Sequence, residues 1–263
     1  MFKVDYLIPI PYETRNLGLP SFVLSETFCQ NSDENELRNN IENKVKELNN
    51  LFIQVRLPKD NLSIVPILKT CGFYFVESTL VPQSNLRKNS KLREFIFDKS
   101  TCIPTRYKLE ELNLCYLDTN DAKTSSKIKE IAEESFSDDR FHIDPNCPDS
   151  IANKRFANWV SDLYTDKSVI FYYLKYKDDA IAFMCHKNQD LILAGFSQKY
   201  RNSGLGEFLW LSVLEKMLSE GIYQAKTLIS VNNISVLNLY SRLGFKFNNP
   251  SVTLHYWHIN SSF

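Results

Sequence analysis

Hydrophobic positions along the 263-residue chain switch repeatedly between a helical and a strand period. Over 32–49, Leu37, Ile41, Val45 and Leu48 recur at helical spacing behind Ser32 and a cluster of acids, which predicts a capped surface helix. LFIQVRL then reads as a strand, DNLSIVPILKTCG as a short helix closed by Gly72, and FYFVESTLV as a strand. Residues 82–105 mix polar residues and prolines, and a domain boundary is expected near 105, dividing the chain into 1–105 and 106–263. Helices are predicted over 121–136 and 150–164, with an irregular segment between them, DDRFHIDPNCPD, whose prolines forbid regular helix. Three strands follow, SVIFYYLKYK, IAFMCHK and DLILAGFS, turning at 177–179 and 187–189. Then come the amphipathic helix GEFLWLSVLEKMLSEG, the strand KTLISV, the helix ISVLNLYSRLG and two terminal strands, FKFNN and SVTLHYWH. This order predicts an α/β fold with a mixed sheet.

Composition narrows the function by exclusion. Lys plus Arg and Asp plus Glu number 31 each, so long-range attraction to nucleic acid or an anionic membrane is not expected, and an anionic ligand has to be gripped locally. No long uncharged apolar window and no leader pattern is read, which predicts a cytoplasmic protein. The six cysteines show no metal or CxxC spacing and are expected to be reduced thiols. His255 and His258 in HYWH lie three apart, on opposite faces of a strand, so no metal site is expected.

The strongest chemical signal is AGFSQKYRNSGLGEFLWLSVLEKML, in which an apolar strand enters a polar loop carrying Arg201, Gly204 and Gly206 and then a helix. Backbone N–H groups converging at a helix N-terminus form an anion site, reinforced by the helix dipole. Glycines at 204 and 206 are expected to let a pyrophosphate approach the main chain. The loop lacks the Lys-Ser/Thr of a Walker motif and the third glycine of a dinucleotide fingerprint.

RxxGxG behind a strand, together with Asn233, Tyr240, Gly244 and Phe245 in SVNNISVLNLYSRLGFKF, resembles the motifs of the GNAT N-acetyltransferases. The resemblance implies acetyl-CoA as co-substrate. Phe196, Ser197, Arg201, Asn202, Ser203, Gly204, Leu205, Gly206, Asn233 and Tyr240 are its expected binding residues. It further implies Tyr240 as the general acid toward the departing thiolate, and a strand bulge beside Gly195 that turns the Phe196 N–H toward the acetyl oxygen. Gln198 departs from the family's frequent proline. No carboxylate lies within LILAGF, so the base is left among Asp190, Glu133, Glu134, Asp139, His142 and a water relay.

A fainter echo aligns NLSIVPILKTCGFYFVESTLV with NISVLNLYSRLGFKFNNPSVTL, with Leu68 in the place of Tyr240, and predicts a truncated GNAT-like lobe in the N-terminal part. The full chain resembles the two-domain TDP-fucosamine acetyltransferases in PYETRNLGLPSFVLS, LKTCGFYFVES, ESFSDDRFHIDP, RFANWVSDL and HYWH. That resemblance implies a nucleotide-linked amino sugar as acceptor, with Asp139, Arg140 and His142 facing it from an overhanging loop. The alternatives are another amine acceptor (a protein N-terminus, a lysine, a polyamine or an aminoglycoside) or a CoA-binding module without turnover. The apolar C-terminal strand could pair with a second chain as a homodimer.

Overall fold

The computed structural model describes residues 6–25, 28 and 33–260. They fall into two compact units: residues up to Leu80 with Asp139–Ile151 and 249 onward, and Val81–Asp138 with Ala152–Asn248. The division runs through a strand at Leu80/Val81, not near 105. The polar, proline-bearing stretch 82–105 belongs wholly to the second unit, where it forms ordered structure.

The first unit opens with β1 (Leu7–Pro9), α1 (Pro11–Leu17) and β2 (Ser21–Leu24). α1 starts on a proline and ends at Gly18, whose φ of 70° closes the helix in the left-handed region. α2 (Glu34–Leu48) is capped by Asp33, which accepts from the Asn35 and Glu36 N–H groups. The expected cap, Ser32, lies outside the described residues. β3 (Leu51–Pro58), a 3₁₀ turn over Lys59–Ile64 and α3 (Val65–Thr70) follow, then the first half of β4 (Tyr74–Asn85). β1 pairs antiparallel with β2, β2 parallel with β3, and β3 antiparallel with the end of β11 (Lys246–His258). β11 is one continuous strand rather than the two expected, passing through Pro250. It lies between β3 and β4, so it offers no open edge for a second chain, contrary to expectation.

Alternation along β3 and β11 sorts this unit into two faces. Leu51, Ile53, Val55, Leu57 and Leu254 pack with Leu37 and Ile41 of α2 and Leu68 of α3. On the other face, Phe52, His255 and Trp257 meet Phe141 of the 139–151 segment, with ring centroids 4.6 to 5.7 Å from Phe52.

The second unit holds the other half of β4, α4 (Ser90–Phe97), β5 (Leu112–Tyr116), α5 (Ala122–Ser135), α6 (Asp149–Leu163, from Ala152) and β6 (Ile170–Tyr176). It continues with β7 (Asp179–Lys187), β8 (Asp190–Phe196), α7 (Gly206–Ser219), β9 (Gln224–Lys226), β10 (Ile229–Ser230) and α8 (Ile234–Arg242). KTLISV, expected as one strand, is broken into β9 and β10. Strand order is β4-β9-β8-β7-β6-β5. Both faces are covered. Phe171, Phe183, Cys185 and Leu193 pack with α5 and α6, whereas Leu174, Met184 and Leu191 pack with Leu209, Val213 and Leu214 of α7 and Leu239 of α8. α4 adds Leu92 and Phe95 to the α7 side.

The predicted internal echo is present as geometry. α3 leads to Gly72 (φ 93°) and α8 to Gly244 (φ 74°). Phe73 N–H then donates back to Leu68 O and Phe245 N–H to Tyr240 O, each at 3.0 Å, before the chain enters β4 or β11.

Candidate active site

The site follows from how β8 is paired. On one side it runs antiparallel to β7, and on the other it meets β9 in parallel only where Asp190 stands opposite Lys226. Thr227 N–H already bonds Pro82 O, so past Lys226 the chain follows β4 and leaves the β8 edge. The two parallel strands therefore splay, and β8 keeps unpaired main-chain groups along its far half.

Ser197 N–H donates to Ile181 O at 2.9 Å across the β7 side. Strand alternation then turns the N–H and C=O of Phe196, which stands opposite Ala182, to the splayed edge. The bulge expected at Gly195 and Phe196 lies elsewhere. Pairing with β7 is regular from Leu193 to Phe196, and the extra residue of β8 is Ile192, between the Cys185–Leu193 and His186–Leu191 partners. Alternation alone suffices to aim the Phe196 N–H.

Gly195 serves packing. A Cβ there would collide with Ser135 Oγ and lie 2.8 Å from Ser135 Cβ. Ser135, the last residue of α5, donates from its hydroxyl to Ile131 O within its own helix and lies 3.1 Å from Phe196 O. Sequence reading did not single out Ser135, and no motif marks it. Among the base candidates, Asp190 is at the opposite end of β8, about 20 Å from Phe196 at strand rise, and is paired with Lys226 at 3.4 Å. Glu133 and Glu134 are exposed.

The loop after β8 makes a 3₁₀ turn over Gln198–Tyr200 and reaches Gly204 at φ 81°. Leu205 precedes α7 and its side chain offers no capping acceptor, so the first-turn N–H groups of Gly206, Glu207 and Phe208 stay available to an anion. Arg201 and Asn202 are exposed, and the Arg201 guanidinium makes no hydrogen bond or ion pair among the described residues. Ser203 is buried; its hydroxyl accepts from Leu205 N–H at 3.3 Å and its carbonyl accepts from Arg106. Packing requires the first of the two glycines and tolerates a side chain at the second. A Cβ on Gly204 would sit 2.7 Å from Pro104 Cγ, and one on Gly206 3.4 Å from Leu239.

Asn233 caps α8, its Oδ1 accepting from Val236 N–H at 3.2 Å and from the Ser235 hydroxyl at 2.9 Å. Tyr240, seven residues on, is 3% exposed, in the same apolar cluster that Phe196 and Ala194 pack against. Its ring meets Phe245 at 4.9 Å and Trp210 at 6.1 Å, both edge-on. Burial pushes the phenol well above its ordinary value, so it is protonated at neutral pH. The buried Trp210 Nε1 makes no hydrogen bond of normal geometry, yet the indole stands close enough to the phenol to act against the effect of burial on it.

The remaining expected residues sit in the first unit. Arg140 pairs with the buried Glu13 at 3.1 Å, and His142 with Asp139. This segment is therefore tied down by its own ion pairs, and Phe141 is fully buried as its anchor. Beside it, Asp144 gathers donors from His255 Nδ1 (2.6 Å), Tyr74 (2.6 Å), Trp257 Nε1 (2.8 Å) and Asn146 N–H (2.9 Å). Burial pushes the Asp144 carboxyl up, but these donors together bring it below the usual carboxylate range.

Two parallel strands thus part near a helix N-terminus, with a strand N–H turned to the open edge and a buried tyrosine in the same apolar cluster. Residues 127–245 match the model of the acetyltransferase (GNAT) family. This stretch has the fold of a GNAT acetyltransferase domain and the protein is an acyltransferase; the co-substrate used by the family that the stretch matches is acetyl-CoA. Solved structures share the fold over nearly the whole chain. A GCN5-related N-acetyltransferase from Sphaerobacter thermophilus is 11% identical with a TM-score of 0.62, covering 97% of this chain and 76% of that one. A functionally unknown conserved protein from Staphylococcus epidermidis is 10% identical with a TM-score of 0.60, covering 98% and 94%. A tandem GNAT protein from the clavulanic acid biosynthesis pathway is 10% identical with a TM-score of 0.56, covering 86% and 70%. No curated protein matches the sequence. Among the described residues there is no group of three potential metal ligands, and no helix is long and apolar enough to cross a membrane.

Proposed function

We propose that the chain moves the acetyl group of acetyl-CoA directly to the amino group of a nucleotide-linked amino-deoxy sugar of the kind used in surface polysaccharide synthesis. The observation that carries the transfer step is the splay of β8 from β9 after Asp190, which leaves the Phe196 N–H unpaired at the strand end. The pantetheine arm lies along that edge and the diphosphate caps the N–H groups of Gly206, Glu207 and Phe208, with Arg201 beside them. The neutral amine attacks the thioester carbon, and the oxygen takes up charge against the Phe196 N–H. The C–S bond breaks, the thiolate takes the Tyr240 proton, and the amide product loses its extra proton to solvent, from which Tyr240 recovers its own.

The choice of acceptor rests on the full-length resemblance of segments such as PYETRNLGLPSFVLS and RFHIDP to the TDP-fucosamine acetyltransferases. Asp139, Arg140 and His142 are assigned to its recognition through the segment they brace. The unit holding residues 1–80 acts as the accessory lobe: Leu68 in place of Tyr240 leaves it without an acid, and it has no RxxGxG loop. The test is released thiol from acetyl-CoA with a panel of amines: amino-sugar nucleotides, free amino sugars, polyamines, aminoglycosides and peptides. Turnover confined to amino-sugar nucleotides is expected. Preference for any other amine overturns the acceptor, and coenzyme binding without release on every amine overturns the transfer.

A further inference from the structure

The α7 side of the second unit's core is largely aliphatic and aromatic, and one polar atom in it stands without an acceptor. Trp210 of α7 is 6% exposed, and its indole Nε1–H is buried without an acceptor. A buried donor left unmade is costly, and a phenylalanine would fill most of the same volume without that cost. The polar atom therefore calls for an explanation. The indole stands perpendicular to the Tyr240 ring, at 81° and 6.1 Å between centroids, and Trp210 is near enough to the phenol oxygen to influence its proton. Trp210 is also the group that acts on the Tyr240 phenol against the effect of burial.

We propose that Trp210 is a positioning residue for acetyl transfer, its indole N–H donating to the Tyr240 oxygen as that oxygen passes its proton to the CoA thiolate. The inference rests on the function proposed above and adds a residue to it. The resting phenol is a weak acceptor, so the indole N–H stands beside it without a bond of normal geometry. The phenolate is a strong acceptor in a dry core, where a charge-assisted bond gains most. In the step, the O–H bond of Tyr240 breaks, an S–H bond forms on CoA, and the charge left on the phenolate oxygen is met by Trp210 until a solvent proton returns. The direction agrees with the acid strength of Tyr240. Burial raises it, and Trp210 is the one group acting to lower it.

The experiment is a double-mutant cycle, Trp210→Phe and Tyr240→Phe singly and together, read as kcat, KM for acetyl-CoA and coenzyme affinity by calorimetry. Trp210→Phe is expected to lower kcat about 10-fold or more, the value of one hydrogen bond to a charged group. Coenzyme affinity is unchanged, and in the Tyr240→Phe background the same substitution has no further effect. A purely structural role would lower kcat in both backgrounds, and that additivity would overturn the inference. Proton–nitrogen spectra supply an arm that needs no acceptor. Among the resonances of Trp159, Trp210 and Trp257, that of the Trp210 indole should shift on Tyr240→Phe, and an unmoved resonance counts against the pairing. If no amine is acetylated, the proposed function falls and this role with it. If transfer is seen and Trp210→Phe turns over normally, only this role falls.

Discussion

Replacing Tyr240 with phenylalanine separates chemistry from folding at this position, because the structure predicts opposite answers for the two. The phenol hydroxyl makes no hydrogen bond of normal geometry among the described residues, whereas the ring packs against Phe245 at 4.9 Å and Trp210 at 6.1 Å. Tyr240→Phe keeps both contacts and removes an unpaired polar group, so stability should change by no more than about 0.5 kcal/mol, in either direction. Thermal unfolding should then shift by no more than about 2 °C. Proton donation to a leaving group is worth about 10² to 10⁴ in rate, or about 3–5 kcal/mol of barrier. Turnover should fall by that factor while acetyl-CoA affinity holds. The assay is thiol release at saturating acetyl-CoA, beside calorimetric binding and a melting curve on the same preparation. Turnover within threefold of the parent, at unchanged affinity, would remove Tyr240 from the mechanism. A melting point lowered by many degrees would instead mean that the hydroxyl is bonded after all.

Other consequences follow from local geometry. Gly195→Ala places a Cβ against Ser135 and 3.1 Å from Phe183 Cε1, so urea unfolding should show a loss of about 1–3 kcal/mol. Adding Ser135→Gly, which removes both offending atoms, should recover most of it. Gly204→Ala meets Pro104 Cγ at 2.7 Å and adopts φ 81° with a side chain. Acetyl-CoA affinity measured by calorimetry should drop about 10-fold as the strained loop moves, about 1.4 kcal/mol. Asp144→Asn turns an amide N–H₂ toward donors it cannot accept from and should cost about 3 kcal/mol in chemical denaturation. The parent protein should also lose stability in acid. Burial lowers His255 from 6.5, and bonding lowers Asp144 from 3.8. For each, the unfolded chain takes up the proton first as pH falls, so stability drains from about pH 6.5 downward for His255 and from about pH 4 downward for Asp144. Denaturation midpoints measured from pH 8 to 3 should show both losses, and a flat profile would contradict both shifts.

Periodicity made most of the fold legible in the sequence, and the exceptions share causes. Elements with a full period and a cap were readable, such as α2, α5, α7 and the hairpin strands β6 to β8. α1 was missed, although Pro11 at its start and Gly18 at its end are a helix signature, because seven residues carry too few apolar positions to show a period. β5 was missed between charged flanks. Pro250 suggested a break between two strands, yet β11 carries it through. The division between units was not readable either. It falls within the apolar run of β4, where composition does not change, while the polar stretch that looks like a linker forms α4 and sets Pro104 against the loop before α7, with Arg106 just beyond it.

The site shows the same contrast at the scale of single atoms. Motif spacing was enough to put Arg201, Gly204, Asn233 and Tyr240 forward, because helix termini and a strand end repeat at fixed offsets along the chain. What the motifs could not give was the reason for each residue. Gly204 looks in sequence like room for a ligand, and in the structure a Cβ there would run into Pro104, whereas one on Gly206 would make only ordinary contact with Leu239. The Phe196 N–H was expected to be turned by a bulge, yet alternation from the Ser197–Ile181 bond is sufficient to aim it. Ser135 and Trp210 carry no motif at all, since each is brought to its neighbour by tertiary packing. The comparison of Leu68 with Tyr240 makes the same argument within one chain. Both residues accept from a Gly-Phe turn at 3.0 Å, so the backbone device is common to the two lobes. An aliphatic side chain stands in one lobe where a phenol stands in the other, and the phenol's hydroxyl is the group whose removal the Tyr240→Phe measurement tests.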